Sequence, residues 1–167
     1  MWHGPTVNLV SGRLVACFYD TCEIYLGGSW QHLQDTTEYR EEHSSATTED
    51  AILLIGGDWS NSTEWIPVDG SAPHPGPFTV RHGSFHCTIQ INANVLVVAG
   101  GWGTEDYVTQ YQINDGAELP LTSLGQPRMM HACGAYQDSD GQQASKSLCN
   151  QCSLIILNTV NMLFAFV

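Results

Sequence analysis

Apolar residues in this chain come in short runs separated by polar turns. AILLI, from Ala51 to Ile55, follows Glu49-Asp50 and ends at Gly56-Gly57. VLVVA, from Val95 to Ala99, follows Asn92-Ala93-Asn94 and ends at Gly100-Gly101. Continuous apolar runs of this length, turn-bounded and partly β-branched, predict strands buried on both faces. The segments before them, SSATTED and CTIQINAN, each predict a strand and a turn. A third strand is expected at Thr63-Glu64-Trp65 and at Thr109-Gln110-Tyr111. A fourth is expected at the segments opening on Trp30 and on Leu119.

The pattern is periodic. His43 and His86 are 43 residues apart, and Gly56-Gly57 and Gly100-Gly101 are 44 apart. Thr63-Glu64-Trp65 aligns with Thr109-Gln110-Tyr111, and Asp69-Gly70 with Asp115-Gly116, both at an offset of 46. Upstream, RLVACF from Arg13 to Phe18 reads as the back half of an earlier copy, with Cys17-Phe18 at the place of the glycine pair. Downstream, Pro127-Arg128 and His131 open another copy. Four short strands in a repeat of about 45 residues is the unit of a β-propeller blade.

The residues at these positions resemble the kelch repeat. One copy shows Arg40, His43, Gly56, Gly57 and Trp59. The next shows Arg81, His86, Gly100, Gly101 and Trp102, and a third opens with Arg128 and His131. Glu23-Ile24-Tyr25 followed by Gly28 and Trp30 fits the end of the first copy. The resemblance implies an all-β fold of kelch-type propeller blades, each of four antiparallel strands. On this reading residues 9–143 are propeller: a partial blade at 9–35, blades at 40–80 and 81–126, and the start of a blade at 127–143. The resemblance also implies that the chain binds other proteins rather than catalysing a reaction. The Arg, His and aromatic positions are expected to tie adjacent blades together.

A complete propeller has about 4 to 8 blades, so six would need about 270 residues. The chain is therefore expected to form an incomplete, open propeller of about two and a half blades. The repeat breaks near Ala144, and 144–167 is expected to be an irregular, non-repeat apolar tail. An open fragment of this kind exposes blade faces and should be poorly soluble alone.

Composition narrows the partner. The net charge is −12 and there is a single lysine, Lys146. Binding nucleic acid needs a basic patch, so nucleic acid and anionic membranes are not expected partners. Another protein is. Candidate partner-binding positions lie in the loops that differ between copies: Asp58, Ser60 and Asn61 in 58–62; Gly103, Thr104, Glu105 and Asp106 in 103–107; and the segment 71–77. No signal peptide or membrane span is expected within the chain. The terminal apolar run of 14 residues is shorter than the roughly 20 that a spanning helix needs.

No motif points to catalysis, and no cofactor or metal is expected. Cys149 and Cys152 have the spacing of half a zinc site, with no second pair nearby in sequence. Asp138-Ser139-Asp140-Gly141 reads as a hairpin turn rather than a calcium loop. Cys17 and Cys22 leave open a disulfide or two free thiols. Asn61-Ser62-Thr63 is an N-glycosylation sequon in the loop after the glycine pair. The alternatives to an interaction scaffold are a fragment of a propeller enzyme like the copper radical oxidases, or a truncated isoform without independent function.

Overall fold

The computed structural model describes residues 6–58, 60–81 and 84–127 fully, and the backbone of three further strands. All the regular elements among the described residues are strands. The first sheet is β1 (Thr6–Val10), β2 (Arg13–Cys17), β3 (Thr21–Leu26) and β4 (Ser29–Asp35). The second is β5 (Ser44–Thr47), β6 (Ala51–Ile55), β7 (Ser62–Pro67) and β8 (His74–Thr79). The third is β9 (Cys87–Asn92), β10 (Val95–Ala99), β11 (Val108–Gln112) and β12 (Glu118–Pro120). Each is an antiparallel meander in which every strand pairs with its neighbour in sequence. None of the three closes on itself.

The first sheet is more complete than the partial unit expected at 9–35. Its extra strand, β1, begins at Thr6 and pairs along its whole length with β2. The turn between them is Ser11-Gly12, both at positive φ (49° and 76°). A two-residue turn with both residues left-handed matches the twist of the flanking strands. Gly27-Gly28 makes the corresponding turn between β3 and β4, at φ 59° and 91°. Another difference lies in the tail. β14 (Leu154–Leu157) and β15 (Met162–Phe166) form a three-stranded sheet with β13 (Cys133–Tyr136), in the order β13-β15-β14. The segments expected to be irregular are apolar and free of proline, which suits them to strands.

The sheets pack face to face in chain order. Ile52, Leu54, Ile66 and Val68 of the second sheet meet Val10, Val15, Cys17 and Ile24 of the first. From the opposite face of the second sheet, Leu53, Ile55, Ala46 and Phe78 meet Leu96, Val98, Tyr111 and Ile113 of the third. This is why every residue of β6 is buried. Removing each such aliphatic side chain from water is worth about 1.5–3 kcal/mol. Phe78 stacks on Tyr111 with centroids 4.6 Å apart. The far face of the third sheet carries its own cluster, including Ile89, Val97 and Val108. The far face of the first sheet exposes Val7, Leu9, Leu14, Tyr25 and Trp30.

The strand register corrects one sequence alignment. Leu54 pairs with Glu64, and Val98 with Thr109. Leu54 and Val98 follow the same 44-residue offset as the glycine pairs, so the counterpart of Glu64 is Thr109, not Gln110. The third strands are thus offset by 45 residues rather than 46. In a strand, a slip of one residue moves every side chain to the other face. Trp65 and Tyr111 accordingly lie on opposite faces of their sheets, Trp65 toward the third sheet and Tyr111 toward the second.

Candidate interaction face

Antiparallel strands send alternate connections to opposite ends of a sheet. The β2–β3, β6–β7 and β10–β11 loops emerge at one end, where β4, β8 and β12 also end. Backbone hydrogen bonds knit this end together. Arg40 N donates to Tyr19 O at 2.6 Å, Asp58 N to Glu41 O at 2.6 Å, Trp102 N to Ser84 O at 2.9 Å, and Leu124 N to Asp106 O at 2.8 Å.

The glycine pairs make this knitting geometrically feasible. Gly56 and Gly57 sit at φ 61° and 120°, Gly100 and Gly101 at 66° and 106°. A Cβ on Gly57 would lie 2.9 Å from Glu41 O, and one on Gly101 would lie 3.0 Å from His86 Cβ. Only glycine allows both the backbone angle and the close approach. The connection bends sharply just before each histidine, at Glu42 (φ 60°) and Phe85 (φ 62°). These two non-glycine residues hold the left-handed conformation at equivalent places, 43 residues apart.

Past that bend, each histidine reaches the first strand of the preceding sheet. His43 Nδ1 donates to Arg40 O at 2.6 Å, so its Nε2 accepts from the Thr6 hydroxyl at 2.8 Å. Burial, together with the Arg40 charge, pulls the His43 pKa below its ordinary value. The neutral imidazole is the form this geometry uses. His86 Nε2 pairs with the Ser44 hydroxyl at 2.7 Å, and that hydroxyl also meets Thr88 Oγ1 at 2.5 Å.

Among the described residues, Arg40 is the largest fully buried side chain, 1% exposed. Its Nε donates to Glu64 at 3.1 Å. Its Nη1 donates to Gly56 O (3.1 Å), Ser62 O (2.9 Å) and Ser60 Oγ (3.2 Å), and its Nη2 to Ser62 Oγ (2.6 Å). Glu38 approaches the same Nη2 at 3.3 Å. The hydroxyls of Ser60 and Ser62, then Arg40, hold the Glu38 pKa below the usual carboxylate range. A buried guanidinium survives because nearly every donor is matched.

The positions singled out from sequence therefore sort into distinct roles. Arg40, His43, His86 and the four glycines form the internal joints. Ser60, grouped with the partner loops, is 8% exposed and belongs to the Arg40 network. Asn61, Trp102 and Gly103 are exposed, while Asp58, Thr104, Glu105 and Asp106 are half-buried. Arg81 is exposed and paired with Glu118 at 2.7 Å. The segment 71–77 leaves the opposite end and runs into β8. There Ser71 and His74 line a groove of about 390 Å³ with Thr48, Asp50, Trp65 and Asp69. Trp59, Arg128 and His131 lie outside the described residues, as do the turn at 138–141 and Cys149 and Cys152.

Two tyrosines of this end, Tyr19 and Tyr39, carried no signal in the repeat. They are exposed and stacked, with centroids 5.5 Å apart and planes at 5°. Trp102 is 63% exposed and Tyr107 49%. Asp20, Glu38, Glu41, Asp58, Glu105 and Asp106 stand among them. Glu64, the buried partner of Arg40, was legible only as a strand residue.

Among the described residues, no three His, Cys, Asp or Glu side chains are grouped to hold a metal ion. Cys17 and Cys22 are joined in a disulfide that bridges β2 and β3. Cys87 is disulfide-bonded too. No helix among the described residues is long and apolar enough to cross a membrane. Comparison with protein-family models finds no match, and comparison with curated proteins finds none either.

Proposed function

We propose that the chain is a segment of a kelch-type β-propeller acting as a protein-interaction module, and that its loop end binds a basic protein surface. The charge at that end carries the reading. Asp20, Glu38, Glu41, Asp58, Glu105 and Asp106 share it with four exposed aromatic rings. Arg40 is sealed inside and matched by Glu64, and Arg81 is engaged with Glu118. Carboxylates steer a cationic partner toward the face, and exposed Trp and Tyr faces hold Lys or Arg side chains through cation–π contact. The radial order of a propeller is supported by the succession of first strands, since β1 packs beside β5, β5 beside β9 and β9 beside β13.

The test is fluorescence anisotropy of a labelled Arg/Lys-rich peptide with the full chain. The basic peptide binds, an acidic peptide of equal length does not, and added salt weakens binding steeply. Trp102→Ala with Tyr107→Ala weakens it by about tenfold. Equal binding of both peptides, or binding indifferent to these substitutions and to Glu105→Gln with Asp106→Asn, overturns the reading.

A further inference from the structure

We propose that Asn61 is an N-glycosylation site and that the chain matures in an oxidising secretory compartment. Asn61-Ser62-Thr63 is the one Asn-x-Ser/Thr triplet in the sequence. Asn61 is exposed, in the loop that leads into β7. The disulfides are an independent observation. Cys17–Cys22 is closed and Cys87 is bonded as well. Such bonds persist in the compartments where N-glycans are added and are rare where glutathione keeps thiols reduced.

The modification joins Asn61 Nδ2 to the anomeric carbon of a lipid-pyrophosphate-linked oligosaccharide. A C–N bond forms, the C–O bond to pyrophosphate breaks, the amide gives up one proton, and the lipid pyrophosphate leaves. The fold sets the timing. The acceptor sequence requires a hydroxyl two residues after the asparagine. In the folded sheet Thr63 is 3% exposed and its Oγ1 donates to Phe78 O at 2.5 Å. The Asn61 carbonyl is also occupied, by Val80 N at 2.8 Å. The triplet is therefore free only before β8 pairs with β7, so the sugar goes on before the second sheet closes. Once the sheet has formed, the Asn61 side chain still faces solvent, and a glycan there is tolerated.

The experiment expresses the full chain behind a cleavable secretory leader in cultured eukaryotic cells and follows its electrophoretic mobility. Peptide-N-glycosidase collapses a single-glycan shift. Asn61→Gln abolishes that shift, and Thr63→Ser keeps it. Because transfer precedes folding, a variant that folds poorly still reports on the site. Alkylation without reduction leaves Cys17, Cys22 and Cys87 unlabelled. Wild type co-migrating with Asn61→Gln overturns the site, and full labelling of those cysteines overturns the compartment. Neither outcome bears on peptide binding by the loop end.

Discussion

In the second sheet, the connection entering β5 buries Arg40 against Glu64 and bonds it to two carbonyls and two serine hydroxyls. In the third sheet, the place of Glu64 is taken by Thr109, 4% exposed and uncharged. The residue preceding Ser84, the counterpart of Glu41, is Gly83 rather than an arginine. Yet the described backbone shares its landmarks in both. Glycine pairs have matching positive φ, a left-handed residue precedes each histidine, and each histidine bonds the first strand of the sheet before it. The repeat is thus carried by backbone geometry and one interstrand histidine. In the second sheet the joint is filled by a charge network around Glu64; in the third, Thr109 stands at the place of that glutamate.

That difference predicts the largest effect. Arg40→Met leaves Glu64 without its cationic partner at 1% exposure and strips Gly56 O and Ser62 O of a donor. Removing one partner of a buried pair costs about 3–5 kcal/mol. Arg40→Met with Glu64→Thr removes both charges, puts the third sheet's threonine at the place of Glu64, and should recover more than half of that loss. Urea denaturation of the three proteins measures it. A double variant as unstable as Arg40→Met would show that the guanidinium supports the backbone joint itself, and the two sheets would then differ more deeply than their φ angles suggest.

A smaller effect follows from His43. In the fold its pKa is lowered, chiefly by burial, so at pH 7 both folded and unfolded chains hold it neutral. As pH falls through the ordinary value of 6.5, the unfolded chain takes up a proton that the folded chain refuses. Stability is therefore full above pH 6.5, declines below it, and levels off once the folded imidazole also protonates. Glu38 and Asp69 titrate below their ordinary 4.5 and 3.8, so they leave the window just below 6.5 to histidine. His43→Gln should flatten the slope of unfolding free energy against pH in that window. An unchanged slope would assign the dependence to other histidines.

How far these features could be read beforehand depends on what kind of signal each leaves. β6 and β10 were plain because burial on both faces makes an unbroken apolar run. The glycine pairs were plain because no other residue fits their angles. β1 was obscured because Ser11-Gly12 is a weaker turn signal than Asn-Gly, and Ser11 takes a positive φ without being glycine. The third strands were aligned one residue out because the β10–β11 loop holds an extra residue, and Thr63 and Thr109 offered a false landmark. Glu64 went unread because alternation places a charge on a face without saying that an arginine from another loop will cover it. Nor does the sequence bring Tyr19 to Tyr39, since their stacking depends on two connections meeting at one end.

Arg81 supplies the smallest effect and the sharpest control. Sequence alone pairs it with Arg40, as the arginine a few residues before the histidine. The structure puts it at the surface, 62% exposed, with its guanidinium on Glu118. Water screens such a pair and side-chain entropy opposes holding it, so its removal should leave the melting temperature unchanged at physiological salt. Arg81→Ala keeps the backbone hydrogen bond from residue 81 to the Tyr111 hydroxyl. Differential scanning calorimetry of Arg81→Ala beside Arg40→Met makes the comparison direct. A loss in Arg81→Ala as large as that in Arg40→Met would mean that the third sheet also relies on its arginine. Thr109 would then not be a neutral substitute for Glu64, and the equivalence read from the sequence would be the better guide to the joint.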